Sequence, residues 1–152
     1  MCYIYEKTII DKIYLAQSDT TVGFVSQNLK KLQHIKSRPS NKKFVICVDS
    51  LQTLKNLTRI PKIHKKLIRN SKKTTFIYQN KALRVVKDPS HLLFLKKLKW
   101  AYSTSANKTG SKYDNNFAYT NSDIIIVDPR GLQENISSKI FKLGRNKIQR
   151  LR

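Results

Sequence analysis

Apolar positions along the chain follow two rhythms, and each predicts a different kind of element. Near-continuous runs at residues 13–16, 44–48, 74–78, 83–86 and 123–127, the fourth interrupted by Arg84, are rich in Ile, Val and aromatic residues and predict buried strands. Between them apolar side chains return at helical intervals: Leu29, Leu32 and Ile35, then Leu51, Leu54 and Leu57, then Ile63, Leu67 and Ile68, then Leu92, Leu93, Leu95 and Leu98 on the inner faces of a fourth helix. That spacing puts each set on one face of a helix. The first helix, over about residues 26–36, cannot continue past Pro39. Asp49 or Ser50 can cap the second, Pro61 can open the third, and Asp88, Pro89 and Ser90 introduce the fourth.

Residues 17–24 read as a polar turn containing Gly23, Asn80 with Lys81 as a second turn, and Asp128 to Gly131 as a third. Residues 138–141 and 147–151 predict a terminal strand pair, and 123–127 a clearly buried strand. Residues 111–122 are polar and predict a loop or a short irregular helix carrying Tyr113, Phe117 and Tyr119. Helices interleaved with strands imply an α/β layer fold, and the 152 residues, without linker, repeat or low-complexity stretch, imply a single domain, 1–152.

One stretch breaks abruptly from apolar to small polar residues. Trp100, Ala101 and Tyr102 can enter a sheet, after which Ser103, Ser105 and Asn107 alternate on one side of an extended segment and Gly110 lets the backbone turn at positive φ. Such hydroxyl and amide groups suit a ligand shelf, and an ordinary polar loop after a strand has the same composition.

Charge adds a partner class. The chain carries 31 Lys and Arg against 9 Asp and Glu, a formal net charge of +22. An excess of that size attracts polyanions, so a nucleic acid or a highly phosphorylated partner is expected, although solvated Lys-rich faces that bind nothing give the same count. No apolar run approaches the length of a membrane span and residues 1–7 lack a signal-peptide pattern, which predicts a cytoplasmic protein without a membrane partner. Cys2 and Cys47 make no CxxC pair and His34, His64 and His91 lack metal-ligand spacing, so plain thiols and no protein metal site are expected.

With 4 Gly and neither GxxxxGK[ST] nor GxGxxG, a bound phosphate would have to be held by side chains. Lys36 and Arg38, one residue apart at a helix end with Lys42 beyond, can form such a clamp, and a solvated charge run reads the same way. Arg84 is more informative, because an unpaired guanidinium within an apolar strand is costly; it needs an internal carboxylate or an anionic ligand. Ser103 and Ser105 lack the GxSxG elbow of a hydrolase, and acids are too few for paired-carboxylate chemistry to be placed. Asp19 is the one carboxylate of interest, with capping of its turn as the competing role.

Ser18-Asp19-Thr20 with Gly23-Phe24, Lys36-Ser37-Arg38-Pro39 with Lys42, Arg84 with Pro89, and the run from Ser103 to Gly110 together resemble the YrdC-like family over nearly the whole chain. They follow its order of a PTDTxYGL-type turn, a KxR pair, an Arg-bearing strand and an STSANxSG loop, and Ser138 and Arg150 match its C-terminal serine and arginine more loosely. The resemblance implies an α/β fold with an open twisted sheet, mixed parallel and antiparallel, flanked by helices around a basic cavity. It also implies the nucleotidyltransferase activity of threonylcarbamoyl-AMP synthases. In that reaction L-threonine, bicarbonate and ATP, with Mg2+ on the ATP phosphates, yield threonylcarbamoyl-AMP and pyrophosphate, and a tRNA threonylcarbamoyl transferase complex acts downstream. On this resemblance Lys36 and Arg38 are the catalytic pair, Thr20 and Ser18 bind threonine, and Ser103, Ser105, Asn107, Arg84, Ser138 and Arg150 bind the nucleotide. The alternative it offers is a non-catalytic YrdC-like protein that binds tRNA or double-stranded RNA. The chain departs from the family pattern at Gln17 and Val22, where proline and tyrosine are usual, at residues 71–74, at Thr109 and Lys139, and in a shortened connection from Tyr78 to Arg84.

Overall fold

The computed structural model describes residues 9–37 and 43–152, so Cys2, Arg38, Pro39 and Lys42 lie outside the described residues. The strands are β1 (Tyr14–Gln17), β2 (Val22–Ser26), β3 (Val45–Val48), β4 (Thr74–Tyr78), β5 (Lys81–Val85), β6 (Trp100–Ser105), β7 (Ile124–Ile125), β8 (Lys139–Leu143) and β9 (Ile148–Arg150). They join into one sheet in the order β7-β1-β2-β6-β3-β5-β4-β8-β9. The β7/β1, β3/β5 and β4/β8 pairs are parallel and the rest antiparallel, as expected for a mixed open sheet.

Five helices lying wholly within the described residues accompany the sheet: α1 (Leu29–Lys36), α2 (Leu51–Leu57), α3 (Lys62–Asn70), α4 (Pro89–Leu98) and α5 (Asn115–Thr120). Their starts follow local chemistry. Asn28, Ser50, Asp88 and Asp114 each accept a backbone N–H of the first turn of α1, α2, α4 and α5, which satisfies a donor the helix itself cannot pair. At its other end α1 stops at Ser37, whose left-handed conformation (φ 43°) closes the helix by donating to Gln33 and His34 carbonyls. The β4–β5 hairpin turns on Gln79 and Asn80, both at positive φ (46° and 65°), the conformation that matches strand twist in a two-residue turn.

Side-chain alternation divides the sheet into two faces with different coverings. On one face Leu15, Val22 and Phe24 pack under α1 and α5, while Val48, Leu83, Val85, Phe76 and Leu143 pack under α2 and α3. On the other, Tyr14, Ala16, Val25, Cys47 and Ala101 are covered by Leu95 and Leu98 of α4. Helix α4 covers only part of that second face. The remainder, carried by the ends of β2, β6, β3, β5 and β4, is open, and there the sheet shows hydroxyls and cations instead of aliphatic side chains.

Several expectations change, among them the inward placing of Ile63 and Leu93, which are 65% and 73% exposed. Residues 22–26 form a strand whose every residue is buried, because β2 sits inside the sheet between β1 and β6; residues 17–24 are therefore not a turn throughout. Gly23 is needed in this strand for space: a Cβ there would lie 2.8 Å from the Thr104 carbonyl oxygen of β6. Strand β6 runs on through Ser105, so the serines are strand residues. Residues 123–127 pair for only two residues at the sheet edge, with Ile124 and Ile125 at 40% and 45% exposure and Val127 at 93%, so this apolar run is no buried strand. Residues 115–120 resolve as helix α5, whose Ala118 is buried and whose Phe117 packs edge-on against Phe24.

Candidate active site

The open part of the second face is the floor of a cavity of about 480 Å³, within the size range of small-molecule sites. Strand pairing brings its residues together from distant parts of the chain: Gly23 lies opposite Ser105, Ser103 opposite Val45, Val45 beside Ala82, and Ala82 opposite Ile77. Period-two alternation then adds Arg84 two residues from Ala82 and Thr75 two residues from Ile77.

Arg84 sits at the centre of this floor. Its Nη1 donates to Thr20 Oγ1 at 3.1 Å, and its Nε and Nη2 donate to Thr75 Oγ1 at 3.2 and 2.8 Å. Thr20 Oγ1 is 3.1 Å from Ser18 Oγ, and Thr75 Oγ1 is 3.1 Å from Ser138 Oγ. Arg152 completes the series by donating to the Ser138 carbonyl at 2.9 Å. A belt of hydroxyls thus fixes a half-buried guanidinium in orientation without a carboxylate bonded to it. Among the described residues no carboxylate forms a salt bridge with Arg84, and none lines the cavity, whose cations are Lys43, Arg84 and Arg152. Of the two partners Arg84 could have had, an internal carboxylate is therefore absent among the described residues.

The turn between β1 and β2 is capped by Ser18, not Asp19: Ser18 Oγ accepts the N–H of Thr20 at 3.2 Å and of Thr21 at 3.1 Å. This holds Thr20 toward Arg84. Gln17, where the family pattern has proline, is buried and accepts the N–H of Gln133 at 2.9 Å, tying the turn to the segment that precedes β8.

Two ionisable groups beside the floor are neutral. Burial pushes the Cys47 thiol up, the adjacent Arg84 charge opposing only in part. Burial likewise lowers the pKa of His91 to about 4, against the pull of Asp19 and Asp88, and both of its ring nitrogens lack a partner. Neither adds charge to the cavity at neutral pH.

The sequence-derived candidates divide on this geometry. Ser18, Thr20, Arg84, Ser103, Ser105 and Ser138 line the cavity together. Lys36 does not. Its side chain is buried and its ammonium donates to the Ser105 carbonyl at 2.9 Å, to the Asn107 carbonyl and to Asn107 Oδ1 at 3.1 Å, while Thr109 Oγ1 donates back to the Lys36 carbonyl at 2.7 Å. Lys36 thus pins the 105–109 loop. Asn107 is spent in the same pin and on Ser111, to whose carbonyl it donates at 2.6 Å. Arg38 lies outside the described residues.

Arg150 is also absent from the lining, for a reason of register. It pairs with Phe141, whose side chain belongs to the face under α3. The N–H groups of Leu151 and Arg152 then both donate to the Ile140 carbonyl, at 2.8 and 3.2 Å, so two residues oppose one. That bulge re-aims the chain and brings Arg152 to the cavity instead. Thr75, Lys43 and Arg152 were not singled out from sequence; a Thr two positions before an apolar strand residue carries no signal until β4 is known to lie beside β5.

Residues 10–152 match the Sua5/YciO/YrdC family, described as telomere recombination. The chain is 29% identical over 155 aligned positions to the uncharacterized protein MG259 homolog of Mycoplasma pneumoniae, the match covering 95% of this chain and 33% of that protein. Among solved structures, P. abyssi Sua5 complexed with L-threonine has a TM-score of 0.77 at 19% identity, covering 98% of this chain and 52% of that one. E. coli YciO has a TM-score of 0.76 at 15% identity, covering 97% and 86%. The chain thus spans about a third of the curated relative and about half of the Sua5 chain. With the family match running over nearly its whole length and the same mixed sheet in these neighbours, the chain belongs to the Sua5/YciO/YrdC family.

Proposed function

We propose that the cavity makes threonylcarbamoyl-AMP from L-threonine, bicarbonate and ATP. The threonine amine joins the carbon of bicarbonate with loss of water, giving a carbamate. A carbamate oxygen forms a bond to the α-phosphorus of ATP, and the bond from that phosphorus to the pyrophosphate oxygen breaks, pyrophosphate leaving with the electron pair. Such a reaction needs anions held in line and charge neutralised at phosphorus more than it needs a proton-shuttling side chain. A lining of hydroxyls and cations without a carboxylate or imidazole supports that division of labour.

The observation that carries this reading is Arg84, oriented by Thr20 and Thr75 and without a carboxylate partner among the described residues. In this reading Thr20 and Ser18 bind threonine, Arg84 and Arg152 hold the carboxylate and phosphate charges, and Ser103, Ser105 and Ser138 contact the nucleotide. Lys36 and Asn107 act through the loop they pin, and Arg38 keeps the catalytic role that the family pattern gives it. Mg2+ would enter on the ATP phosphates and help to neutralise their charge. The product, a mixed anhydride, is an activated donor for a transferase complex that modifies tRNA.

The test is pyrophosphate release from ATP in the presence of bicarbonate and Mg2+, with and without L-threonine. Release should depend on threonine, and Arg84→Ala should lower kcat/KM by roughly 100-fold or more with the fold retained. Folded protein that releases no threonine-dependent pyrophosphate overturns the reading and leaves the non-catalytic, RNA-binding alternative.

A further inference from the structure

The charges of this protein are segregated along the sheet. Between Asp49 and Asp88, and again after Glu134, the chain carries Lys and Arg without a single acid. The topology puts these two acid-free stretches side by side, because β4 and β5 from the first adjoin β8 and β9 from the second. Of the described acids, Asp49 follows β3 in mid-sheet and pairs with Lys99, and the others gather toward the opposite end: Asp11 and Asp19 border β1, Asp114 caps α5, Asp123 and Asp128 flank β7, Glu134 bridges to Thr21, and Asp88 is held by Arg130 beside Asp128.

Helix α3 concentrates the positive end. Lys62, Lys66 and Arg69 are exposed and return at the helical repeat, so with the half-buried Lys65 they form one stripe opposite the buried His64 and Ile68. His64 Nε2 lies 2.8 Å from the Gly144 carbonyl in the β8–β9 turn, which places the exposed Arg145 and Lys147 of that turn next to the helix. Among the described residues none of these cations takes part in a salt bridge. Beside the stripe Arg59, Lys62 and Lys65 line a recess of about 390 Å³ with Tyr78. An unpaired cationic stripe of this kind repels itself unless a polyanion covers it, and regularly spaced cations beside a shallow recess match the repeating phosphates of a nucleic-acid strand.

We propose that α3 and the β8–β9 turn are the docking surface for a folded, duplex-containing RNA, held by phosphate contacts. This surface lies on the face of the sheet away from the cavity, since α3 packs with Phe76, Leu83 and Leu143 while the cavity opens among Ala82, Arg84 and Thr75. RNA bound there leaves the cavity open. Its binding is shape- and charge-driven, steep in salt, and independent of cavity ligands.

The experiment measures binding of a duplex RNA of roughly 20 base pairs to the full chain across a salt series. The variant is Lys62→Glu/Lys66→Glu/Arg69→Glu, and the control is Lys96→Glu/Lys97→Glu/Lys99→Glu, a reversal of equal charge at the end of α4. The proposal expects a loss of roughly 10- to 100-fold for the α3 variant, a shallower salt slope by about two to three, and a much smaller loss for the control. It also expects millimolar L-threonine and ATP to leave binding of the unmodified chain unchanged. Equal losses in both variants, or no RNA binding at all, overturn it. So does binding to vesicles of anionic phospholipid that depends on the α3 cations while RNA fails to bind. Threonine-dependent pyrophosphate release, unchanged in the α3 variant, separates failure of this surface from failure of the cavity reading.

Discussion

Lys36 and Arg84 are both cations removed from bulk water, and their surroundings give them opposite tasks. The ammonium of Lys36 is met by carbonyl oxygens at the root of the 105–109 loop, so its charge is spent on backbone geometry. Arg84 is met by neutral hydroxyls, which orient it without neutralising it. His91 shows what the same interior does to a group with neither kind of partner. The unfolded side chain titrates near 6.5 and the folded one at about 4, chiefly because burial penalises the cation. Between those values the unfolded chain binds a proton that the native chain does not. The stabilising contribution is therefore complete above about pH 6.5 and is lost as pH falls toward about 4, by up to about 3 kcal/mol. Urea unfolding at about pH 7 and about pH 4.5 should show a drop in stability that is smaller in His91→Leu; an equal drop in both proteins would place the acid sensitivity elsewhere.

At the scale of elements, a single bulge decides which C-terminal arginine can serve the cavity. Register in a hairpin alternates faces, and Arg150 opposite Phe141 is committed to the α3 side. The double donation from Leu151 and Arg152 to Ile140 shifts that alternation by one, and Arg152 reaches Ser138. Arg152→Ala should lower threonine-dependent pyrophosphate release by roughly tenfold or more, whereas Arg150→Ala should leave it near the unmodified rate; the reverse order would mean that the hairpin register differs in solution. The same example marks how far the sequence can be read. Four helices were legible because spacing and caps agree, as at Ser50 with Leu51 and Leu54, and β3 and β4 because their apolar runs are continuous. Strand β2 was not, since Gly23 reads as a turn residue and Ser26 as the start of the next helix until β6 is known to press against them. Nor was the exposure of Ile124 and Ile125, because an edge strand and a core strand share the same apolar letters. Of the candidate site, Arg84 and the two serines could be seen from local pattern, while the hydroxyl of Thr75 and the pin at Lys36 depend on which strands and loops are neighbours.

For the molecule as a whole, the net charge of +22 is less informative than its distribution. One end of the sheet combines α3, β8 and β9 without an acid, and the other keeps its carboxylates in caps and ion pairs such as Asp88 and Asp128 with Arg130. Cations crowded at one end repel one another in the native state more than in the expanded unfolded chain, so they destabilise the fold while attracting a polyanion. Salt should therefore act with opposite signs on the two properties. Raising KCl from about 20 mM to about 500 mM shortens the screening length from roughly 20 Å to below 5 Å and should relieve about 1–2 kcal/mol of repulsion, a rise of roughly 3–8 °C in Tm. Over the same range RNA affinity should fall steeply. Lys62→Glu/Lys66→Glu/Arg69→Glu sharpens the test, because it should raise Tm at low salt and flatten its salt dependence while losing RNA binding. A Tm that ignores salt, or a triple variant that melts lower at low salt, would show that these cations are held apart well enough to cost the fold nothing, and the charge would then need another cause than a bound polyanion.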